Sequence, residues 1–349
     1  MTLLAGFTTY VILDTFVIER RYEVVVPADN AETRPNGGDN TAGRSESDNT
    51  EPSGDIVSST DASNATPGEE GSSAEGSRAE ESATEEPTTE EPTTEEPTTP
   101  PTIVTENSYS DYGISLTIDE IRYLDTDVIV VDIYTDDITT ILSAFAENTY
   151  GRNIKEPTSF IANNNGAIFA INGDFYGARW SGYVIRNGVL YREEPVGYDQ
   201  EDLVIYYDGT FEVIKEGEIT ARELLDKGAW QVFTFGPGLV VNGEINVSER
   251  QEVLYCLDTN QRTVIGQIAD GHYVIVQADA RTAKDHGLTL YQMAEFLKNL
   301  GVVTGYNLDG GGSSTIFFKG AVLNDPTPNG TDFYERSVSD IVYIKYRAE

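Results

Sequence analysis

The chain has 349 residues, a formal net charge of −36 and one cysteine. A single Cys256 excludes an intramolecular disulfide and a thiolate metal cluster, and so strong an acidic excess argues against nucleic acid as a partner because it repels phosphate backbones. Composition shifts along the chain divide it into residues 1–27, 28–102 and 103–349.

Residues 3–18 are mostly apolar but carry Asp14, and they fall short of the ~20 apolar residues that span a bilayer. No basic residues precede the run, as they would in a signal peptide. Residues 1–27 therefore read as a truncated membrane anchor, with a short amphipathic surface element as the alternative. Arg20 and Arg21 follow the run, and the positive-inside tendency would keep that flank cytoplasmic. Residues 28–102 hold 19 acids against three arginines and almost no large apolar side chains. Such a stretch cannot bury enough surface to offset its ordering entropy and is expected to be disordered. It ends in three Glu-Glu-Pro-Thr-Thr repeats, Glu85 to Thr99. Proline and like charges extend a chain, so this acidic stalk suits a domain tethered at a cell surface or in the extracellular space.

From Ile114 the pattern is that of a packed core. Val128 to Tyr134 has strand character, Thr158 to Asn163 starts a short helix, and Ala167 to Ile171 fits a buried strand. Asp208-Gly209 and Asp270-Gly271 mark two hairpins. Arg262 to Ile268 and Tyr273 to Gln277 flank the second. Cys256, in Val253 to Leu257, reads as a core residue. Thr289 to Asn299 is the clearest helix, with Leu290, Met293, Ala294 and Leu297 on one face and Gly301 as its stop. Val302 to Leu308 and Val338 to Tyr346 return as strands. The expected fold is α+β (mixed α/β): one catalytic domain over 103–349, built on a large, largely antiparallel twisted sheet with few helices.

Three segments carry candidate chemistry. In Asn307-Leu308-Asp309-Gly310-Gly311-Gly312-Ser313-Ser314 a carboxylate leaves a strand beside three glycines and two hydroxyls. Consecutive glycines weaken strands but leave N–H groups open to an anion or sugar. No lysine follows, so a Walker-type phosphate loop is excluded. Asn172-Gly173-Asp174 is a second strand exit with an acid at its rim, although alone it is an ordinary turn. Asp279-Ala280-Arg281 leaves the second hairpin. Arg262, Arg281 and Arg336 stand at strand boundaries, where guanidinium forks can grip phosphate oxygens. His272 flanks a hairpin turn and is expected to be exposed. His286, before the helix, is either a loop residue or a substrate-pocket residue and proton donor; a triad with Ser313 is a further alternative. Two histidines in unrelated settings do not make a zinc site.

Taken in order, these segments resemble the phosphodiester glycosidase family. The resemblance runs through Ile171 to Tyr176, Gly182 to Gly188, Phe235 to Leu239, Arg262 to Gly266, Asp279 to Arg281, Leu288 to Ala294, Asn307 to Ser314 and Arg336 to Asp340. It covers nearly all of 114–346, and Asn307 to Ser314 is its most specific part. The family usually has Asp-Gly-Arg where this chain has Asp279-Ala280-Arg281, and the added methyl would narrow the pocket or alter the backbone. The resemblance implies a hydrolase that cleaves the glycosidic bond of sugar-1-phosphodiesters, GlcNAc-α-1-phosphodiesters for example, in a cell-surface or exported polysaccharide. The leaving group is already a phosphate monoester and needs little protonation. Asp309 or Asp174 would act as base or nucleophile, with Arg281 and Asp279 in the catalytic group. Asn172, Arg262, His286, Asn307, Gly310, Gly311, Gly312, Ser313, Ser314 and Arg336 would bind substrate and phosphate. No particular cofactor is implied, although a Ca²⁺ or Mg²⁺ ion on the aspartates fits the donor type. A non-catalytic carbohydrate-binding protein, and a phosphodiesterase cutting the other P–O bond, are the competing readings.

Overall fold

The computed structural model describes residues 20–21, 101–253 and 258–347. The apolar run 3–18, the stretch 28–100 and Cys256 lie outside these residues, and so do the expectations of an anchor, a disordered stalk and a core cysteine.

Every strand pairing among the described residues is antiparallel. The strands do not form the one large sheet expected. They form a nine-stranded sheet and two five-stranded sheets, besides the short pairing of Arg20–Arg21 with Gly151–Arg152. Twist accounts for the division, since large antiparallel sheets curl or split beyond roughly ten strands.

The nine-stranded sheet is centred on Thr304–Asn307, Arg262–Ala269, His272–Ala278 and Thr126–Tyr134. Both Asp-Gly turns close hairpins as expected, with Gly209 and Gly271 at φ of +87° and +69°. One five-stranded sheet is centred on Ala167–Asn172, flanked by Asp340–Lys345 and Ile316–Phe318. The other is centred on Ala229–Phe233, flanked by Val184–Arg186 and Glu201–Tyr206.

Strand alternation decides what each face buries. Ile129, Val131 and Ile133 share one core with Phe169, Ile171, Leu203, Ile205 and Val342, so residues from all three sheets meet there. Each outer face takes one helix. Val128, Val130, Val274 and Val276 pack against α3 (Leu290–Asn299) through Leu290, Met293, Ala294 and Leu297. Ala170, Phe317 and Ile341 pack against α1 (Thr158–Asn164) through Ile161 and Ala162. Ile185, Val204 and Val232 pack against α2 (Ala221–Asp226) through Ala221 and Leu224. Burying one such leucine or methionine is worth about 1.5–3 kcal/mol, so the apolar stripe of α3, more than helix propensity, holds it in place. The helices α2 and α3 both start on a capping box, Thr220 with Glu223 and Thr289 with Gln292.

Candidate active site

The candidate residues gather where strands of the three sheets begin or end. Asp174 follows Ala167–Asn172, Asp309 follows Thr304–Asn307, Arg186 ends its strand, and Asp340 opens the strand Asp340–Lys345. A cavity of about 240 Å³ opens among Asp174, Phe175, Asp309, Ser313, Arg336 and Lys155.

Asp309 is buried, with 5 % of its surface exposed. Arg336 Nη2 stands 3.3 and 3.5 Å from its two carboxylate oxygens. The same guanidinium donates to Ser313 Oγ through Nε at 2.9 Å and through Nη2 at 2.6 Å, and to the Gly310 carbonyl at 3.1 Å. Burial raises the Asp309 carboxyl above the usual carboxylate range, and Arg336, Ser313 and the Gly310 amide only partly offset it.

Asp174 is held far more tightly. Its Oδ1 accepts from the Tyr176 amide at 2.9 Å, and its Oδ2 accepts from the Thr234 amide at 2.9 Å and Arg186 Nη2 at 2.8 Å. Arg186 is fully buried and also donates through Nε to Asp340 Oδ2 at 2.9 Å and through Nη1 to the Val232 carbonyl. Burial alone would depress the Arg186 guanidinium, but the two carboxylates outweigh it and hold it above its ordinary range. Burial pushes the Asp340 carboxyl up, with Arg186 opposing. Gly173 explains why glycine separates Asn172 from Asp174: a Cβ there would fall 2.3 Å from Asp340 Oδ1.

Asn172 ties the two strand exits together. Its Nδ2 donates to the Asp309 carbonyl at 2.7 Å, and its Oδ1 accepts from Thr263 Oγ1 at 3.0 Å and the Thr315 amide at 3.3 Å. Thr263 in turn reaches Ser314 Oγ at 3.0 Å. The three glycines of the loop have packing reasons. A Cβ on Gly310 would fall 2.7 Å from the Gln261 carbonyl and one on Gly312 2.6 Å from Pro328, while Gly311 adopts φ +58°. The row of open amides expected at Gly310 to Gly312 is partly engaged: Gly311 N–H donates to the Gln261 carbonyl and the Gly310 amide faces the Asp309 carboxylate, while the following Ser313 and Ser314 amides close a 3₁₀ turn on the Gly310 and Gly311 carbonyls.

Several expected site residues stand elsewhere. Buried Arg262 donates to the Leu288 and Asp258 carbonyls at 3.0 and 3.1 Å, which makes it a brace for the loop before α3. Arg281 is exposed and donates to the Pro328 carbonyl at 2.6 Å; it touches the outside of the glycine loop without lining the cavity. Asp279 accepts from Gln277, Asn324 and the Asp325 amide at 3.0, 3.2 and 3.1 Å, and burial pushes it up to about 6. It organises the strap behind the loop, since Asn324 also donates to the Ser314 carbonyl. Asn307 donates to the Gly236 carbonyl at 2.8 Å and does not line the cavity. His286 is exposed, its amide bonded to the Asp125 carbonyl, and Ser313 Oγ is occupied by Arg336, so the triad is not formed. His272 is half-buried on Tyr134 with Nε2 2.6 Å from Asp132. The Ala280 methyl points toward Gly287, where a Cβ would fall 2.5 Å away, and does not narrow the cavity.

Arg186 and Asp340 are the residues that sequence reasoning did not single out. An arginine inside the apolar run Tyr183-Val184-Ile185-Arg186 was the available signal, because a buried charge needs a partner. Among the described residues no group of three or more His, Cys, Asp or Glu side chains is arranged to hold a metal ion. The cation lying between Asp174 and Asp340 is the Arg186 guanidinium.

Residues 165–345 match the family model of the phosphodiester glycosidases. The SPbeta prophage-derived protein YomE of Bacillus subtilis is 32 % identical over 203 residues, which cover 56 % of this chain and 31 % of that protein. The mouse N-acetylglucosamine-1-phosphodiester alpha-N-acetylglucosaminidase is 30 % identical over 200 residues, 51 % of this chain and 38 % of the enzyme. The aligned part thus spans about a third of the length of these relatives. The fold is shared with the catalytic domain of the zebrafish N-acetylglucosamine-1-phosphodiester alpha-N-acetylglucosaminidase, at a TM-score of 0.53 and 22 % identity over 67 % of this chain and 83 % of that one.

Proposed function

Because the chain belongs to the phosphodiester glycosidase family, we propose that it hydrolyses the glycosidic bond of sugar-1-phosphodiesters, with Asp309 as the carboxylate at the anomeric carbon and Arg336 as the phosphate-facing cation. The observation that carries this reading is that Asp309, Asp174, Ser313 and Arg336 line one cavity.

The two carboxylates are unequal. Asp174 has both oxygens committed to Tyr176, Thr234 and Arg186, which suits a fixed wall charge that orients substrate and leaves the attack to its neighbour. Asp309 is held only by long contacts to Arg336 and by its own loop, and its raised basicity suits proton abstraction from water or direct attack on the sugar. The Arg336 side chain is 45 % exposed and can turn its fork from Ser313 to the phosphate oxygens. A phosphate monoester leaves without a strong general acid, so the reaction does not depend on a dedicated proton donor at the cavity. A Ca²⁺ or Mg²⁺ ion at Asp174 would have to displace Arg186, so we assign charge stabilisation to the arginines. The acidic composition of 28–102 supports a spacer that tethers the enzyme at a cell surface, within reach of wall or exported polysaccharide.

The test is a panel of GlcNAc-α-1-phosphodiesters incubated with the full chain, with and without divalent metal. Free reducing sugar is the expected product. Sugar-1-phosphate would assign the other P–O bond, and no turnover anywhere would leave a binding protein. In ¹⁸O-labelled water the label should enter the sugar. Asp309→Asn should lower kcat by about 10³-fold or more.

A further inference from the structure

We infer that the cavity beside Phe235 is a second subsite that takes an uncharged glycosyl residue from the remote end of the substrate. This rests on the glycosidase reading above.

The size of the first cavity raises the question. At about 240 Å³ it lies below the ~300–1,000 Å³ usual for small-molecule sites. A sugar, its phosphate and an aglycone overfill it, so part of any natural substrate must lie outside. The cavity at Phe235 measures about 390 Å³ and is walled by Arg179, Gln200, Glu201, Phe235, Pro237 and Asn246.

The two cavities share a partition. Ala178 lines the first and Arg179, the next residue, lines the second. Phe175 lines the first and Phe235 the second, and their rings meet edge to face at 6.4 Å. Thr234, between Phe233 and Phe235, holds Asp174 through its amide and Arg179 Nη1 through its carbonyl at 3.2 Å. The two cavities are therefore one layer of side chains apart, and a substrate reaching both would pass over that layer.

Charge and chemistry select the occupant. The first cavity presents Arg336 and Lys155 beside its acids. The second sets Asp199, Glu201 and Glu252 against Arg179 alone, a wall that repels phosphate. What remains favourable is a neutral polyhydroxyl group. The carboxamides of Gln200 and Asn246 and the Arg179 guanidinium offer hydrogen bonds, and the Phe235 ring with Pro237 offers an apolar face for the C–H side of a sugar. The wall is preorganised. Tyr306 Oη accepts from the Phe235 amide at 2.9 Å and donates to the Glu201 carbonyl at 2.8 Å. Glu201 Oε2 accepts from the Gly238 amide at 3.0 Å and Asn246 Nδ2 at 3.3 Å.

Calorimetric titration of the full chain with neutral oligosaccharides, chitotetraose and maltotetraose, tests the subsite without requiring turnover. Binding by at least one of them is expected, undiminished by inorganic phosphate and by Asp309→Asn, and weakened about tenfold by Gln200→Ala and by Arg179→Ala. No binding of either sugar at millimolar concentration overturns the proposal, as does affinity unchanged in both Gln200→Ala and Arg179→Ala. Loss of binding in Asp309→Asn alone would place the sugar in the first cavity and also overturn it. A chain that binds the oligosaccharide but hydrolyses no phosphodiester keeps the subsite and loses the glycosidase reading.

Discussion

Arg336 stands 3.3 Å from Asp309 without closing a short ion pair, while the same guanidinium donates to Ser313 Oγ at 2.9 and 2.6 Å and to the Gly310 carbonyl at 3.1 Å. The carboxylate is thereby left more basic than a tightly paired one. Burial raises Asp309, and Arg336 is foremost among the groups that pull it back. If the ionised form is the active one, the acid limb of the kcat/KM profile should lie above the ordinary carboxylate value of ~4. Arg336→Gln removes the opposing charge, so that limb should move to still higher pH while kcat falls by about 10²-fold. An unmoved acid limb in Arg336→Gln would detach Asp309 from the rate.

The ladder Asp174–Arg186–Asp340 makes a stability prediction. Removing one partner of a buried pair costs about 3–5 kcal/mol, because the partner's charge stays behind unpaired. Arg186→Met leaves two such carboxylates and should unfold at markedly lower urea. Adding Asp340→Asn removes one of them, and the double variant should recover part of the loss. Equal urea midpoints for wild type and Arg186→Met would show that the ladder contributes nothing.

Gly173→Ala should cost at least as much as the usual 1–3 kcal/mol of core overpacking, since its Cβ falls 2.3 Å from Oδ1 of the Asp340 carboxylate, which is buried and held by Arg186. Gly197→Ala is the matched control: no atom lies within 4 Å of its Cβ, and the change should stay within about 0.5 kcal/mol. Thermal melts of the pair would read both directly.

Asp279 gives the fold a pH dependence of definite sign. Burial pushes it up to about 6, against ~4 for an unfolded carboxylate. Between these values the folded state keeps a proton that the unfolded chain has released. The contribution of this group to stability is therefore present below the unfolded value and lost as pH rises through the folded one, by on the order of 3 kcal/mol. Asp279→Asn should flatten urea midpoints over that window. A slope identical to wild type would place the titration elsewhere.

Much of this was legible along the sequence because it is local. The Asp-Gly turns, the stripe of α3 and the strand exits at Asn172 and Asn307 are each written in a few neighbouring residues. The capping box Thr220-Ala221-Arg222-Glu223 was equally local, and it marks the helix α2 that periodicity alone did not reveal. The division into three sheets was not legible, since it depends on which strands pair across the chain. The arginines show the same limit. Arg262, Arg281 and Arg336 all sit at strand boundaries, but only Arg336 reaches the cavity; a boundary does not say toward which end of a sheet the side chain turns. Arg186 and Asp340 lie 154 positions apart and have meaning only as a pair.

The Asn172 amide reaches Asp309 across 137 positions and Thr263 across 91. No sheet can finish the cavity by folding alone. Hairpins such as Arg262–Ala278 can form early from nearby residues, whereas contacts of such long sequence separation come with the docking of sheet on sheet. Regain of the proposed hydrolysis after dilution from urea would then lag behind regain of β-sheet circular dichroism, and that hydrolysis would serve as a clock for the last step of assembly.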